Sequence, residues 1–165
     1  MAKSVAQKKV FNAPSSKVYN FYMDSELHKE ITGLTARVGT KPGESFSAFK
    51  GDIKGKILYV KKNNMIVQTW RYKNWEKNIS DSIVTLTFDE NADGSTVVSL
   101  FHVNLPDDHV DAVKSRWNEG YWKSWNNYIK NPPTPRASGR KKASPSNGKK
   151  VVKTKSVSGK KKGRG

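Results

Sequence analysis

Asp107-Asp108-His109-Val110-Asp111-Ala112-Val113-Lys114-Ser115-Arg116-Trp117-Asn118-Glu119-Gly120-Tyr121-Trp122-Lys123-Ser124-Trp125-Asn126-Asn127-Tyr128-Ile129-Lys130 is the stretch on which the fold turns. It has no interior proline, and Leu105-Pro106 breaks the chain just ahead of it. Asp107 and Asp108 are the N-cap candidates. At about 100° per residue, Val110, Val113, Trp117, Tyr121, Trp125 and Tyr128 fall within an arc of about 120°. Trp122 and Ile129 widen that arc on one side. A long helix with this much aromatic surface must lie on something large and apolar.

Its partner is found upstream. There, about seventy residues read as strands joined by short polar turns. Phe46-Ser47-Ala48-Phe49 follows the turn signal Lys41-Pro42-Gly43, and residues 53–60 follow Lys50-Gly51-Asp52. Lys61-Lys62-Asn63-Asn64 reverses the chain into residues 65–72. Residues 82–88 alternate, with Val84, Leu86 and Phe88 on one face and Thr85 and Thr87 on the other. Asn91-Ala92-Asp93-Gly94 is a hairpin turn into residues 95–103. Consecutive strands with such turns imply an antiparallel meander. Residues 5–11 are a further, ragged strand. Ala13-Pro14-Ser15-Ser16 starts a short helix with a serine as cap candidate and Val18, Tyr19, Phe21 and Tyr22 on its apolar side. Asp24 caps a second short helix, which Gly33 stops. The expected class is α+β: a curved antiparallel sheet wrapped around a long C-terminal helix, with two short helices near the N-terminus closing one end.

Charge divides the 165 residues in two. The chain carries 31 Lys and Arg against 14 Asp and Glu, a net +17, and no cysteine. Without cysteine, disulfide frameworks, thiolate metal sites and thiol nucleophiles are excluded. Residues 131–165 hold twelve of the basic side chains and no acid, leaving residues 1–130 at +5. That tail lacks any aromatic, Leu, Ile or Met, so it cannot bury enough surface to offset the entropy of ordering, and disorder is expected. Asn131-Pro132-Pro133-Thr134-Pro135 marks the boundary. Clustered Arg136, Arg140, Lys141, Lys142, Lys149, Lys150, Lys153, Lys155, Lys160, Lys161, Lys162 and Arg164 suit a phosphate backbone. Full engagement would give a salt slope near about −10, and without a stacking ring the binding would be non-specific. A solubility or nuclear-targeting extension is the plainer alternative. No apolar run approaches the ~18 residues of a membrane span, and no secretory signal opens the sequence. The expectation is a cytoplasmic monomer, or a nuclear or nucleoid-associated one through the tail, with no membrane association.

Particular stretches add a resemblance. Phe11-Asn12-Ala13-Pro14 followed by Val18-Tyr19 resembles the opening of START-like (SRPBCC, helix-grip, Bet v-type) domains. Phe46-Ser47-Ala48-Phe49-Lys50-Gly51, Ile66-Val67-Gln68-Thr69-Trp70-Arg71-Tyr72-Lys73-Asn74-Trp75, residues 82–88, and the final helix with Trp117, Gly120-Tyr121 and Trp122 narrow it. They resemble the C-terminal domain of the activator of heat-shock protein 90 ATPase and its stand-alone relatives, over nearly all of residues 5–130. The resemblance implies the helix-grip fold and a co-chaperone that binds a heat-shock protein 90 type chaperone and stimulates its ATPase. Full-length activators add a separate N-terminal domain with an Asn/Trp-rich stimulatory motif, whereas this sequence opens on the START-like part. The wider superfamily implies an alternative, an apolar small molecule held between sheet and helix.

Chemistry-bearing side chains are few. His28, among charged neighbours, reads as a solvated surface residue, and His102, alternating with Leu100 and Val98, as a hydrogen-bonded core histidine. His109 sits beside Asp107, Asp108 and Asp111, acids that helix capping explains better than a cation site. No phosphate loop, nucleophile elbow or metal-ligand spacing occurs, so a non-enzymatic protein without cofactor or metal is expected. Trp70, Tyr72, Trp75, Phe88, Trp117, Tyr121 and Trp125 are the candidates for a ligand pocket. The same rings serve equally as packed core, and both readings stay open at this point.

Overall fold

The computed structural model describes residues 1–135, and the tail expectations from Arg136 onward lie outside them. Residues Met1–Pro133 form one compact unit. Seven strands build one antiparallel sheet: β1 (Lys3–Phe11), β2 (Arg37–Val38), β3 (Ser45–Ala48), β4 (Ile53–Lys61), β5 (Met65–Tyr72), β6 (Ser82–Glu90) and β7 (Thr96–Leu105). Their order is β1-β7-β6-β5-β4-β3-β2. From β2 to β7 this is the expected meander, and β1 closes the far edge by pairing with β7 in the register Phe11↔Thr96 and Val5↔His102. Alternation sets the faces. On β6, Val84, Leu86 and Phe88 point into the core, as do Ile66, Gln68 and Trp70 on β5.

Two helices, α1 (Ser15–Met23) and α2 (Ser25–Thr32), cover one end. The first is not capped by its own serines. Pro14 occupies the cap, and Glu90 from β6 accepts from both Ser15 N at 2.7 Å and Ser15 Oγ at 2.8 Å. A carboxylate 75 positions away does the work a local hydroxyl was expected to do. Asp24 caps α2 as expected, accepting from Leu27 N at 2.9 Å, and Gly33 ends it at φ 74°.

The C-terminal helix, residues 107–130, is not a uniform α-helix. A 3-10 turn, Asp107–His109, leads into α3 (Val110–Ser115), a π-helical stretch Arg116–Trp122 and α4 (Lys123–Lys130). Pro106 holds the cap position without a side-chain bond, so the expected aspartate caps are absent; Asp107 instead faces Lys3 Nζ at 3.7 Å. Hydrogen bonds from i to i+5 put extra residues into each turn. Trp117, Tyr121, Trp122 and Trp125 are therefore all buried, although a regular 100° step leaves Trp122 at the flank.

The π stretch meets a strained loop. Phe49 and Lys50, after β3, adopt left-handed φ of 52° and 57°, and Phe49 packs edge-on against Tyr121 at 5.2 Å. The Arg116 guanidinium lies 4.3 Å above the Phe49 ring. A Cβ on Gly120 would sit 2.9 Å from that ring, which is held from both sides. Gly120→Ala is thus expected to lower stability by about 1–2 kcal/mol, crowding outweighing alanine's better helix propensity. Urea unfolding would show it, and an unchanged or raised midpoint would contradict it.

Candidate functional site

Between sheet and helix lies a continuous stack of rings. Trp117 sits 5.1 Å from Trp70, 4.7 Å from Tyr121 and 5.3 Å from Trp122, centroid to centroid. Tyr22 from α1 lies flat against Phe46 of β3 at 5.5 Å and donates its hydroxyl to Gln68 Oε1 at 3.0 Å.

Polar groups thread this stack in a fixed direction. An indole N–H can only donate, and Trp117 Nε1 donates to His102 Nδ1 at 3.2 Å. The proton of His102 is therefore on Nε2, which donates to Ser82 Oγ at 2.7 Å. The Ser82 hydroxyl then donates to the Trp70 carbonyl at 2.8 Å. Burial pushes the His102 imidazole down to about 3, so it is neutral at pH 7. With its Nε2 proton directed at Ser82, His102 is not arranged as a base for that hydroxyl. It is the hydrogen-bonded core histidine that the strand alternation predicts.

His28 corrects the surface assignment. It is fully buried, its Nδ1 donates to the Tyr22 carbonyl at 2.9 Å, and Tyr22 and Tyr121 flank its ring at 5.2 and 5.4 Å. Its charged neighbours Lys29 and Glu30 take the solvent side of α2 while His28 turns inward. Burial brings the ring down to about 4. His28 Nε2 and the indole N–H groups of Trp70 and Trp125 have no hydrogen-bond partner.

Arg71 organises the loop after β5. Its guanidinium donates to the carbonyls of Trp75 at 3.2 Å, Glu76 at 2.6 Å and Ile79, and pairs with Asp81 at 3.3 Å. Trp75, 4% exposed, packs on Tyr72 at 6.0 Å and on His109 at 5.5 Å. A lysine cannot reproduce that multidentate fork. Arg71→Lys is expected to release residues 73–81, costing about 1–3 kcal/mol locally. Hydrogen exchange at those amides measures it, and unchanged protection would refute it.

The outer surface has open clefts. One of about 600 Å³ is lined by Arg37, Ser45, Ser47 and Lys54, and another of about 590 Å³ by Lys9, Asn118, Trp122 and Asn127. A third, of about 430 Å³, lies between Tyr19, Met23 and Val60. Among the described residues no cluster of three or more His, Asp or Glu could hold a metal ion, and no helix is long and apolar enough to cross a membrane.

Residues 12–129 match the family described as Activator of Hsp90 ATPase homolog 1-like protein. The chain belongs to that family. Its similarity to the Activator of 90 kDa heat shock protein ATPase homolog of Dictyostelium discoideum is 26% identity, covering 70% of this chain and 30% of the relative. To the Hsp90 co-chaperone AHA1 of Saccharomyces cerevisiae it is 24%, covering 73% and 36%. This AHSA1-like chain thus spans about a third of the length of the curated relatives it matches. Among solved structures, an HSP90 activator from Plasmodium falciparum superposes with a TM-score of 0.68 at 24% identity, covering 77% of this chain and 94% of that one. CalU16 from Micromonospora echinospora also scores 0.68, at 20% identity, covering 81% and 78%. The helix-grip fold is common to them.

Within this AHSA1-like domain the seven pocket candidates do not form one group. Trp70, Trp117, Tyr121 and Trp125 meet between sheet and helix. Tyr72 adjoins Trp70, and Trp75 packs on Tyr72 in turn. Phe88 lies apart, edge-on to Tyr19 at 5.4 Å. None of the seven lines the surface clefts named above. Tyr22, Phe46, Gln68 and His28 belong to the interior cluster and are not among the pocket candidates read from the sequence. Gln68 had a readable signal, since it falls in phase with Ile66 and Trp70 on the inward face of β5.

Proposed function

We propose that this chain is a non-enzymatic binding module that engages a 90-kDa heat-shock chaperone and stimulates its ATP turnover. The observation that carries this reading is the family match over residues 12–129, joined by relatives named as Hsp90 activators in several organisms. The interior geometry supports a scaffold role for Trp70, Arg71 and Trp75, which hold the core and the 73–81 loop instead of presenting a docking patch. The full chain is mixed with a purified 90-kDa heat-shock chaperone, and saturable binding with faster ATP hydrolysis is expected. No binding together with unchanged turnover would sink the proposal.

A second reading, an apolar small molecule between sheet and helix, is favoured by the unpartnered His28 Nε2 acceptor and Trp70 Nε1 donor inside the ring cluster. A ligand carrying polar groups among apolar carbons would satisfy such atoms. Tryptophan-fluorescence titration with long-chain fatty acids and planar aromatic alcohols tests it; a flat response across both classes counts against it. Nucleic-acid affinity of the basic tail is a separate proposal. A gel shift comparing the full chain with one ending at Pro133 decides it, equal affinities contradicting the idea.

A further inference from the structure

The outer face of the sheet carries an unpartnered apolar field. Apart from Met1, each exposed large hydrophobic among the described residues lies on a strand: Val10, Leu58, Tyr59, Ile83, Phe101 and Val103. Strand register joins them into rows. Ala6, Phe101, Thr85, Val67 and Tyr59 sit directly opposite one another across β1, β7, β6, β5 and β4. Val103, Ile83 and Thr69 form the next row. An irregularity in β4 between Ile57 and Tyr59 leaves both Leu58 and Tyr59 exposed. Phe101 is 50% and Tyr59 49% exposed, and it is their joining into rows with their neighbours that marks an interaction surface.

Cations border the field. The row on one side runs Lys8, Ser99, Thr87, Met65 and Lys61, with a lysine at each end. On the other side, Lys54 lies opposite Arg71, and Lys56 N donates to Thr69 Oγ1. Of the acids there, Asp81 is paired with Arg71, which leaves Asp89 beyond the lysine row, opposite Val97. This charge pattern selects the occupant. A second copy would set lysine rims against lysine rims and be repelled. A single-stranded nucleic acid prefers closely spaced stacking rings, whereas Phe101 and Tyr59 stand three strands apart, about 14 Å at ordinary strand spacing. An acidic polypeptide surface with an aliphatic centre complements both the rim and the field.

We infer that the outer sheet face around Phe101, Val103, Ile83 and Tyr59, rimmed by Lys8, Lys54, Lys56 and Lys61, is the surface through which this domain docks an acidic, apolar-centred face of its protein partner. The inference rests on the chaperone reading above and names the surface that reading leaves open. The test uses the full chain and a purified 90-kDa heat-shock chaperone, with binding followed by sedimentation velocity and calorimetry. Phe101→Thr with Val103→Thr removes apolar area while keeping residues that favour strands. Lys54→Glu with Lys56→Glu reverses one rim. Both double variants should melt like the parent and bind about tenfold more weakly. The charge-reversed one should also lose salt dependence. If the parent binds and both variants bind equally well, the surface assignment falls while the chaperone reading stands. If the parent does not bind at all, both fall. If the variants lose affinity for oligo(dT) and keep it for the chaperone, the face belongs to nucleic acid and the inference is overturned.

Discussion

Trp117→Ala is expected to remove about 3–5 kcal/mol of unfolding free energy, a large share of the 5–15 kcal/mol that holds an ordinary domain together. The indole is fully buried between Trp70, Tyr121 and Trp122, so truncation opens a cavity that rigid aromatic neighbours fill poorly. It also takes away the donor that satisfies His102 Nδ1. The two contributions separate in Trp117→Phe, which keeps most of the apolar contact and leaves the acceptor bare; about 1–3 kcal/mol is expected there. Urea unfolding followed by circular dichroism measures both. An alanine variant within about 1 kcal/mol of the parent would mean the ring stack is not what supports the core.

Acid should weaken the domain well before its carboxylates titrate. His102 and His28 are held neutral by burial, with folded values of about 3 and about 4 against an ordinary 6.5. As pH falls below about 6.5, the unfolded chain takes up a proton at each imidazole while the folded chain does not. Their contribution is therefore complete above pH 6.5 and is lost progressively down to pH 3–4. Each imidazole costs about 3 kcal/mol by pH 4, at about 1.36 kcal/mol per unit. The exposed carboxylates whose pKa is lowered by hydrogen bonds, Glu44, Asp52, Glu90 and Asp93, act in the same direction but start from ordinary values of 4.5 or 3.8. The interval from pH 6.5 to 5 thus belongs mainly to the histidines. Urea midpoints at pH 7.5 and 5.0 should differ clearly, and less so in His102→Gln. Identical midpoints at the two pH values would refute the account.

Where local rules act alone, the sequence is a good guide. The β6 alternation, the turn at 91–94 and the Asp24 and Gly33 helix signals all appear in the fold as read. Misreadings arise where a distant group takes over a local task. Glu90 replaces the serine cap of α1, and neither hydroxyl reveals a carboxylate arriving from another strand. His28 is hidden because α2, eight residues long, makes little more than two turns surrounded by charge, leaving its inward phase unreadable. β2 is two residues long, below any periodic signal. The π-helical stretch breaks the 100° step on which the wheel depends, and Phe49 leaves the strand for a left-handed turn that its residue type disfavours. Of the candidate site, the aromatic set was legible as types on faces. Which rings meet was not, since that depends on the distortion at 116–122.

The pairing of β1 with β7 has a consequence for the order of events in time. The first strand's neighbours in the sheet lie at residues 96–105, and the Trp122 indole that bonds Gln7 lies 115 positions further along. A chain leaving the ribosome at about 5–20 residues per second therefore carries its opening segment unpaired for roughly 5–20 s. During that wait the meander can assemble from its own short hairpins, while the N-terminal strand offers bare backbone and Val10 to any passing edge. Lys3, Lys8 and Lys9 make that segment a poor template for sticking to others. The lysines that interrupt its pattern, and make it hard to recognise as a strand, are what keep it available until its partner is born.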